Sequence, residues 1–171
     1  MKYYNIQGLR GSSFEEIINH TNEIYEKNNL ALIQKISTPI KPISLNKNNN
    51  TITLAYFEKK STVDYIGVTQ GLAICFDAKE TKLKSLPIKN IHEHQIEFMD
   101  KFEQQKGIAF LLVHFLFNDT YFYLPFKILK KFWLESKSGP KSIAYNKFKY
   151  QVFISDNYVL NYLDYIHKSM A

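Results

Sequence analysis

A chain of 171 residues, 45% of them hydrophobic and 22% charged, suits one globular domain over residues 1–171 and excludes a disordered chain. No apolar run approaches the roughly 18 residues of a bilayer span, and Met1-Lys2-Tyr3-Tyr4-Asn5 lacks the apolar core of a secretory signal, which predicts a cytoplasmic protein with no membrane partner. The formal charge of +6 favours an anionic partner, and nucleic acid is the commonest one for a small basic domain.

Ser13 and Glu16 make a capping box, and Phe14, Ile17, Ile18, Thr21, Ile24 and Tyr25 recur at helical spacing, predicting a helix over 14–28. Residues 31–36 alternate as a strand does, and Pro39 and Pro42 hold 38–43 extended. A polar tip at 46–50 precedes two β-rich runs, 51–57 and 72–79, with 61–67 between them leading into the sheet and turning it. Lys79, Lys82, Lys84 and Lys89 with Pro87 mark 79–90 as a solvated basic loop. Asn90 and Glu93 form a second capping box, opening a helix to about residue 105 that Gly107 ends. Residues 108–117 and 121–125 read as consecutive strands, the first apolar enough to be covered on both faces. A helix from Phe126 to Trp133, a break at Ser138-Gly139-Pro140 and a short helix over 158–168 complete an α/β chain whose mixed central sheet is flanked by helices.

Asp64 and, thirteen residues on, Asp77-Ala78-Lys79 carry the first chemical signal. Asp77 and Lys79 stand two apart on a strand and share a face. A carboxylate pair suits a hard divalent cation such as Mg²⁺, and an ammonium beside it suits charge building up on a phosphate. An exposed strand pair fits the same two residues. On the helix after the basic loop, His94 and Gln95 interrupt an apolar stripe of Ile91, Phe98, Met99 and Phe102, so a polar side chain turns toward the sheet and needs a partner. Gln95 could aim its carbonyl oxygen at a metal or sit as a satisfied core amide, and His94 could reach backbone or phosphate. Glu15 flanks the stripe of the first helix, either as a carboxylate favoured by the helix dipole or as a distal member of an acidic cluster. The remaining histidines and Cys75 show no zinc-ligand spacing, and one cysteine makes no internal disulfide. Arg10 is the single arginine among 22 basic residues and could bind phosphate bidentately.

Taken in order, several short blocks resemble the RecU Holliday junction resolvases of low-GC Gram-positive bacteria. They include Arg10-Gly11, Phe14-Glu15, Thr38-Pro39-Ile40, Ser61-Thr62-x-Asp64-Tyr65-x-Gly67-Val68, Asp77-Ala78-Lys79-Glu80-Thr81, His92-Glu93-His94-Gln95-Ile96, Phe132-Trp133 and Lys141-Ser142-Ile143. The resemblance implies a restriction-endonuclease-like fold with a short projecting stalk hairpin at 43–55. It implies a homodimer that nicks opposite strands of four-way junction DNA in recombination and repair, using Mg²⁺, for which Mn²⁺ can substitute. A recombinase and a branch-migration helicase are the protein partners it suggests. Carried onto this chain, the metal site falls on Thr62, Asp64, Asp77 and Gln95, with Lys79 stabilising the transition state and Glu15 in support. Arg10, Lys82, Lys84, His94 and Lys141 are the expected DNA contacts. Asp77 stands where relatives usually carry glutamate, and the stalk segment is shorter and lacks an arginine. A non-catalytic junction-binding or strand-annealing protein of the same fold is the alternative.

Overall fold

The computed structural model describes residues 13–46, 48–57 and 62–170. Arg10 and Ser61 lie outside them. Helix α1, Phe14–Lys27, begins where the Ser13 hydroxyl accepts from the Glu16 N–H and the Glu16 carboxylate accepts from the Ser13 N–H. Both bonds satisfy donors that a helix start leaves open, typically about 1 kcal/mol for the cap. α1 buries Phe14, Ile17, Ile18 and Tyr25, and Asn28 closes it by donating to the Ile24 carbonyl.

Strands β1 (Ala31–Lys35), β4 (Tyr65–Thr69), β5 (Leu72–Thr81), β7 (Ile108–Phe115), β8 (Thr120–Pro125) and β10 (Tyr150–Val152) lie side by side in that order. All pairs are antiparallel except β5 with β7, so the sheet is mixed, as expected. The parallel pair needs a crossover, which helix α2 (Glu93–Gln104) supplies. Every residue of β7 is buried, the mark of a strand covered on both faces. One face packs α1 and the C-terminal turns over Tyr65, Phe76, Phe110 and Tyr162. The other packs α2 and helix α3 (Phe126–Glu135) over Cys75, Leu111, Val113, Met99 and Leu129. This is the helix-flanked, restriction-endonuclease-like arrangement that the sequence predicts.

Two glycines in the β4 and β5 region have a physical reason. Gln70 and Gly71 both take positive φ, +46° and +83°, in the two-residue turn that joins these strands. At Gly67 a Cβ would meet the Leu32 carbonyl oxygen at 2.3 Å, so β1 can approach β4 only if that position has no side chain.

Several elements differ from expectation. Residues 51–57 do not join the main sheet. Strand β3, Thr51–Phe57, pairs with β2, Ile40–Asn46, in a separate hairpin that is exposed over most of its length. The stalk is thus a real hairpin and begins three residues before, and ends two after, the expected 43–55. The segment read as turning into the sheet, 61–67, holds the start of β4. The supposed basic loop holds the end of β5 and a short strand, β6 (Ser85–Pro87), paired with β9 (Ser142–Ala144), so Leu86 is wholly buried. Residues 88–90 form a 3-10 turn, which shifts the start of α2 from Asn90 to His92. At the C-terminus 158–161 is not helical, because α1 captures it: the Thr21 hydroxyl accepts from the Leu160 N–H and the Tyr25 hydroxyl donates to the Leu160 carbonyl. A 3-10 turn, Tyr162–Tyr165, and the short helix α4, His167–Met170, follow.

Candidate active site

The turn at Gln70 and Gly71 sets the register that brings two distant carboxylates together. Tyr65 pairs with Phe76 at the end of the ladder, and the residues just beyond that pair, Asp64 and Asp77, lie close enough for their charges to act on each other. Asp64 is half-buried, and its Oδ2 accepts from the Ala78 N–H at 3.0 Å, which ties the lead-in to β4 against β5. Asp77 is wholly buried. Odd-numbered positions of β5 face α2, so Asp77 and Lys79 point to the same side as that helix.

Asp77 meets a different partner on each oxygen. Gln95 donates its amide N–H to Oδ1 at 2.8 Å. Oδ2 has no hydrogen bond of regular geometry among the described residues and lies in ion-pair contact with the Lys79 ammonium. Burial, opposed by the Lys79 charge and reinforced by that of Asp64, raises the Asp77 carboxyl to about 7. A wholly buried carboxylate needs a counter-charge, which the Lys79 ammonium supplies here and which a bound cation can supply in its place.

Gln95 is oriented by the helix start. Its Oε1 accepts from the His92 N–H at 3.0 Å, filling the first open donor of α2. The amide N–H₂ therefore faces Asp77, opposite to the expected carbonyl-first orientation. A buried amide with both ends engaged is fixed in place. His94 is half-buried and stacks on the His92 ring at 5.3 Å, and Gln95 meets the sheet at Asp77.

The other expected residues spread outward. Thr62 is half-buried, two residues before Asp64. Glu15 is exposed in the first turn of α1 and pairs with Lys35 at 2.5 Å. It still acts on the same neighbourhood: the Tyr65 phenol is pushed up by burial first, then by the charges of Glu15, Asp64 and Asp77. Lys82 and Lys84 are exposed just past the end of β5, with the Lys84 ammonium over the Phe117 ring. Lys141 turns its ammonium onto the Ser136 and Lys137 carbonyls at the end of α3, so in the free protein it caps that helix.

Sequence reasoning missed a second polar cluster. On the opposite face of the sheet, His114 has its ring nitrogens 3.1 Å from Glu80 and 2.8 Å from Asp119, and stacks on Tyr121. Its signal was period-two geometry: Glu80 follows Lys79 and so faces away from the Asp77 side.

Among the described residues no group of three His, Cys, Asp or Glu side chains is arranged to hold a metal ion. The two carboxylates that lie near each other on this face are Asp64 and Asp77, with the Gln95 amide against the second. Two carboxylates suit a hard cation that keeps several waters, for which an all-protein cage is unnecessary.

Comparison with known proteins places the chain in a family. A family profile described as Recombination protein U matches residues 9–168. A Holliday junction resolvase RecU from Oceanobacillus iheyensis is 41% identical over 162 residues, covering 92% of this chain and 83% of the relative. One from Staphylococcus aureus is 43% identical over 144 residues, covering 81% and 69%. Among solved structures, the archaeal Holliday junction resolvase Hjc of Archaeoglobus fulgidus superposes with a TM-score of 0.45 at 9% identity, over 77% of this chain and 90% of that one. With a match that runs through almost the whole length and relatives above 40% identity, the chain belongs to the RecU family.

Proposed function

We propose that this chain is a Mg²⁺-dependent endonuclease that resolves Holliday junctions by paired nicks in opposite strands during recombination and repair. Family membership supports the nuclease activity in general. The observation that carries the rest is Asp77, buried and held by Gln95 on one oxygen and by the Lys79 ammonium on the other, with the Asp64 carboxylate nearby.

Asp64 and Asp77 would hold the cation, with Thr62 and Gln95 as outer donors, and Mn²⁺ shares the same preference for oxygen. A divalent cation held there would lower the pKa of a water and offset phosphate charge. Gln95 keeps the Asp77 carboxylate in one orientation, so no rotamer search precedes catalysis. Lys79 neutralises Asp77 in the free protein, and with that charge taken over it turns its N–H donors to the phosphoryl oxygens as charge builds on them. A water attacks phosphorus in line, the bond from phosphorus to O3′ breaks, and 3′-hydroxyl and 5′-phosphate ends result. Lys82 and Lys84, with Arg10, His94 and Lys141, would steer and grip the backbone, which makes affinity fall steeply with salt. A homodimer supplies two symmetric sites for two strands.

The test is cleavage of a synthetic four-way junction beside linear duplex of the same sequence, in Mg²⁺ and in EDTA. Symmetric nicks at the junction that need Mg²⁺ are expected. Tight junction binding with no cleavage in Mg²⁺ or Mn²⁺ would overturn the enzymatic reading.

A further inference from the structure

At the edge of the sheet away from β1, a cavity of about 950 Å³ opens between α3, β8 and the chain from 140 to 150. Asp77 pairs with Leu111 and Leu111 with Leu124, so the near wall of the cavity stands two strand spacings from Asp77, on the order of 10 Å at about 4.8 Å per strand. Ile88, Leu124, Ile128 and Phe132 give it an apolar floor. Lys127, Lys131, Lys147, Lys149 and Lys168 stand around it, and among the described residues Glu135 is the one acidic side chain lining it. Lys131 approaches that glutamate at 3.9 Å, while Lys147 and Lys149 are exposed.

Charge and shape together restrict the occupant. Five ammonium groups against one carboxylate call for an anionic partner. A duplex backbone offers phosphates but no apolar group to fill a cavity of this size, within the range that normally encloses a ligand or an anchoring side chain. A single strand would need open aromatic faces on which its bases could stack. Here Tyr123 is buried, Phe132 is half-buried in the floor, and the Lys168 ammonium already lies over the Tyr150 ring. An acidic peptide with one or two large apolar side chains satisfies both halves of the groove: the anchor enters the floor, and the carboxylates meet the lysine rim.

We propose that this groove is a docking site for an acidic protein segment bearing an apolar anchor, separate from the proposed nuclease centre and independent of cleavage. The probe is a fluorescein-labelled peptide, Asp-Glu-Asp-Asp-Glu-Asp-Ile-Pro-Phe, titrated by anisotropy against the full chain. Its partner peptide replaces Ile and Phe by Gly and Ser. Ala144, exposed on β9 and lining the groove, gives an uncharged block in Ala144→Trp. Lys147→Glu with Lys149→Glu removes rim charge, and Lys27→Glu with Lys41→Glu makes the same charge change on exposed residues elsewhere in the fold.

We expect the anchored peptide to bind at least tenfold more tightly than the anchorless one. Ala144→Trp and the rim pair each weaken it at least tenfold, and the Lys27 and Lys41 pair changes it less than threefold. Equal binding of the two peptides, or equal loss from the two charge pairs, would reduce the effect to general attraction and overturn the proposal. Loss of junction affinity in Ala144→Trp without anchor-dependent peptide binding would make the groove a DNA surface instead. A fall in sedimenting mass in that variant would make it a subunit contact, and this too overturns the proposal. Circular dichroism of each variant establishes that the fold is kept.

Discussion

Two hairpins in this chain share a backbone pattern and differ in everything around it. β4 and β5 are joined by a two-residue turn, extended on both sides by β1 and β7, and covered by α1 and α2, so their side chains are largely buried. β2 and β3 stand apart from that sheet, and Ile43, Leu45, Ile52 and Leu54 are all exposed along them. A two-stranded hairpin is marginal in water by itself. The surrounding layers, not the hairpin, therefore decide where charge can be buried. Only β4 and β5 can hold Asp77 in a dry, fixed position, because enough packing surrounds it to offset the cost of a buried carboxylate.

The sharpest way to break this comparison is at the chemistry itself. Lys79→Ala is expected to lower the cleavage rate on a four-way junction about 10³-fold while junction affinity changes less than threefold, since the ammonium acts on charge that forms only in the transition state. Single-turnover cleavage and gel-shift affinity on one preparation separate the two. Equal losses in both would place Lys79 in DNA binding.

Next in size is packing under the covered hairpin. Ile74 is wholly buried in β5, and Ile74→Ala is expected to cost about 3 kcal/mol in urea unfolding, from lost transfer energy plus a cavity. A cost near zero would mean that the layers on β5 are looser than the structure has them.

The buried carboxylate contributes a smaller, pH-dependent effect. Asp77 rises from an ordinary 3.8 to about 7 in the folded chain. A carboxyl with a raised folded value contributes stability that is fully present below its unfolded value and lost as pH rises through the folded one. Asp77→Asn, which stays neutral, is thus expected to melt with the parent chain near pH 4 in EDTA. By pH 8 it should be more stable by roughly 1–3 kcal/mol, and Mg²⁺ should raise the melting temperature of the parent chain alone. Parallel melting curves across this window would show that Asp77 is ionised at little cost.

These same regions mark where sequence reasoning succeeds. The start of α1 was legible because a capping box and 3.6-residue spacing are local. That Asp77 and Lys79 share one face of a strand was legible because a period of two is local, whereas the turn at Gln70 and Gly71 that brings Asp64 near them was not. The strands β6, β9 and β10 were not, being three residues long and defined by partners far along the chain. Asn90 looked like a helix cap, and only the 3-10 turn that uses it reveals otherwise. The orientation of Gln95 depends on a backbone N–H at His92 and an acid on another element, which no local pattern encodes.

The smallest expected effect falls on the uncovered hairpin and completes the comparison with a matched residue. Ile52 is 47% exposed on β3, opposite Leu45. With no layer over either face, truncation leaves no cavity, and what remains is strand propensity and one cross-strand contact. Ile52→Ala should therefore cost less than about 1 kcal/mol, a fraction of the same change at Ile74. Both variants unfolded in urea at two protein concentrations give the contrast directly. A cost at Ile52 that approaches the one at Ile74, or that grows with protein concentration, would mean that a second subunit covers this hairpin in solution and supplies the layer that β4 and β5 obtain from their own chain.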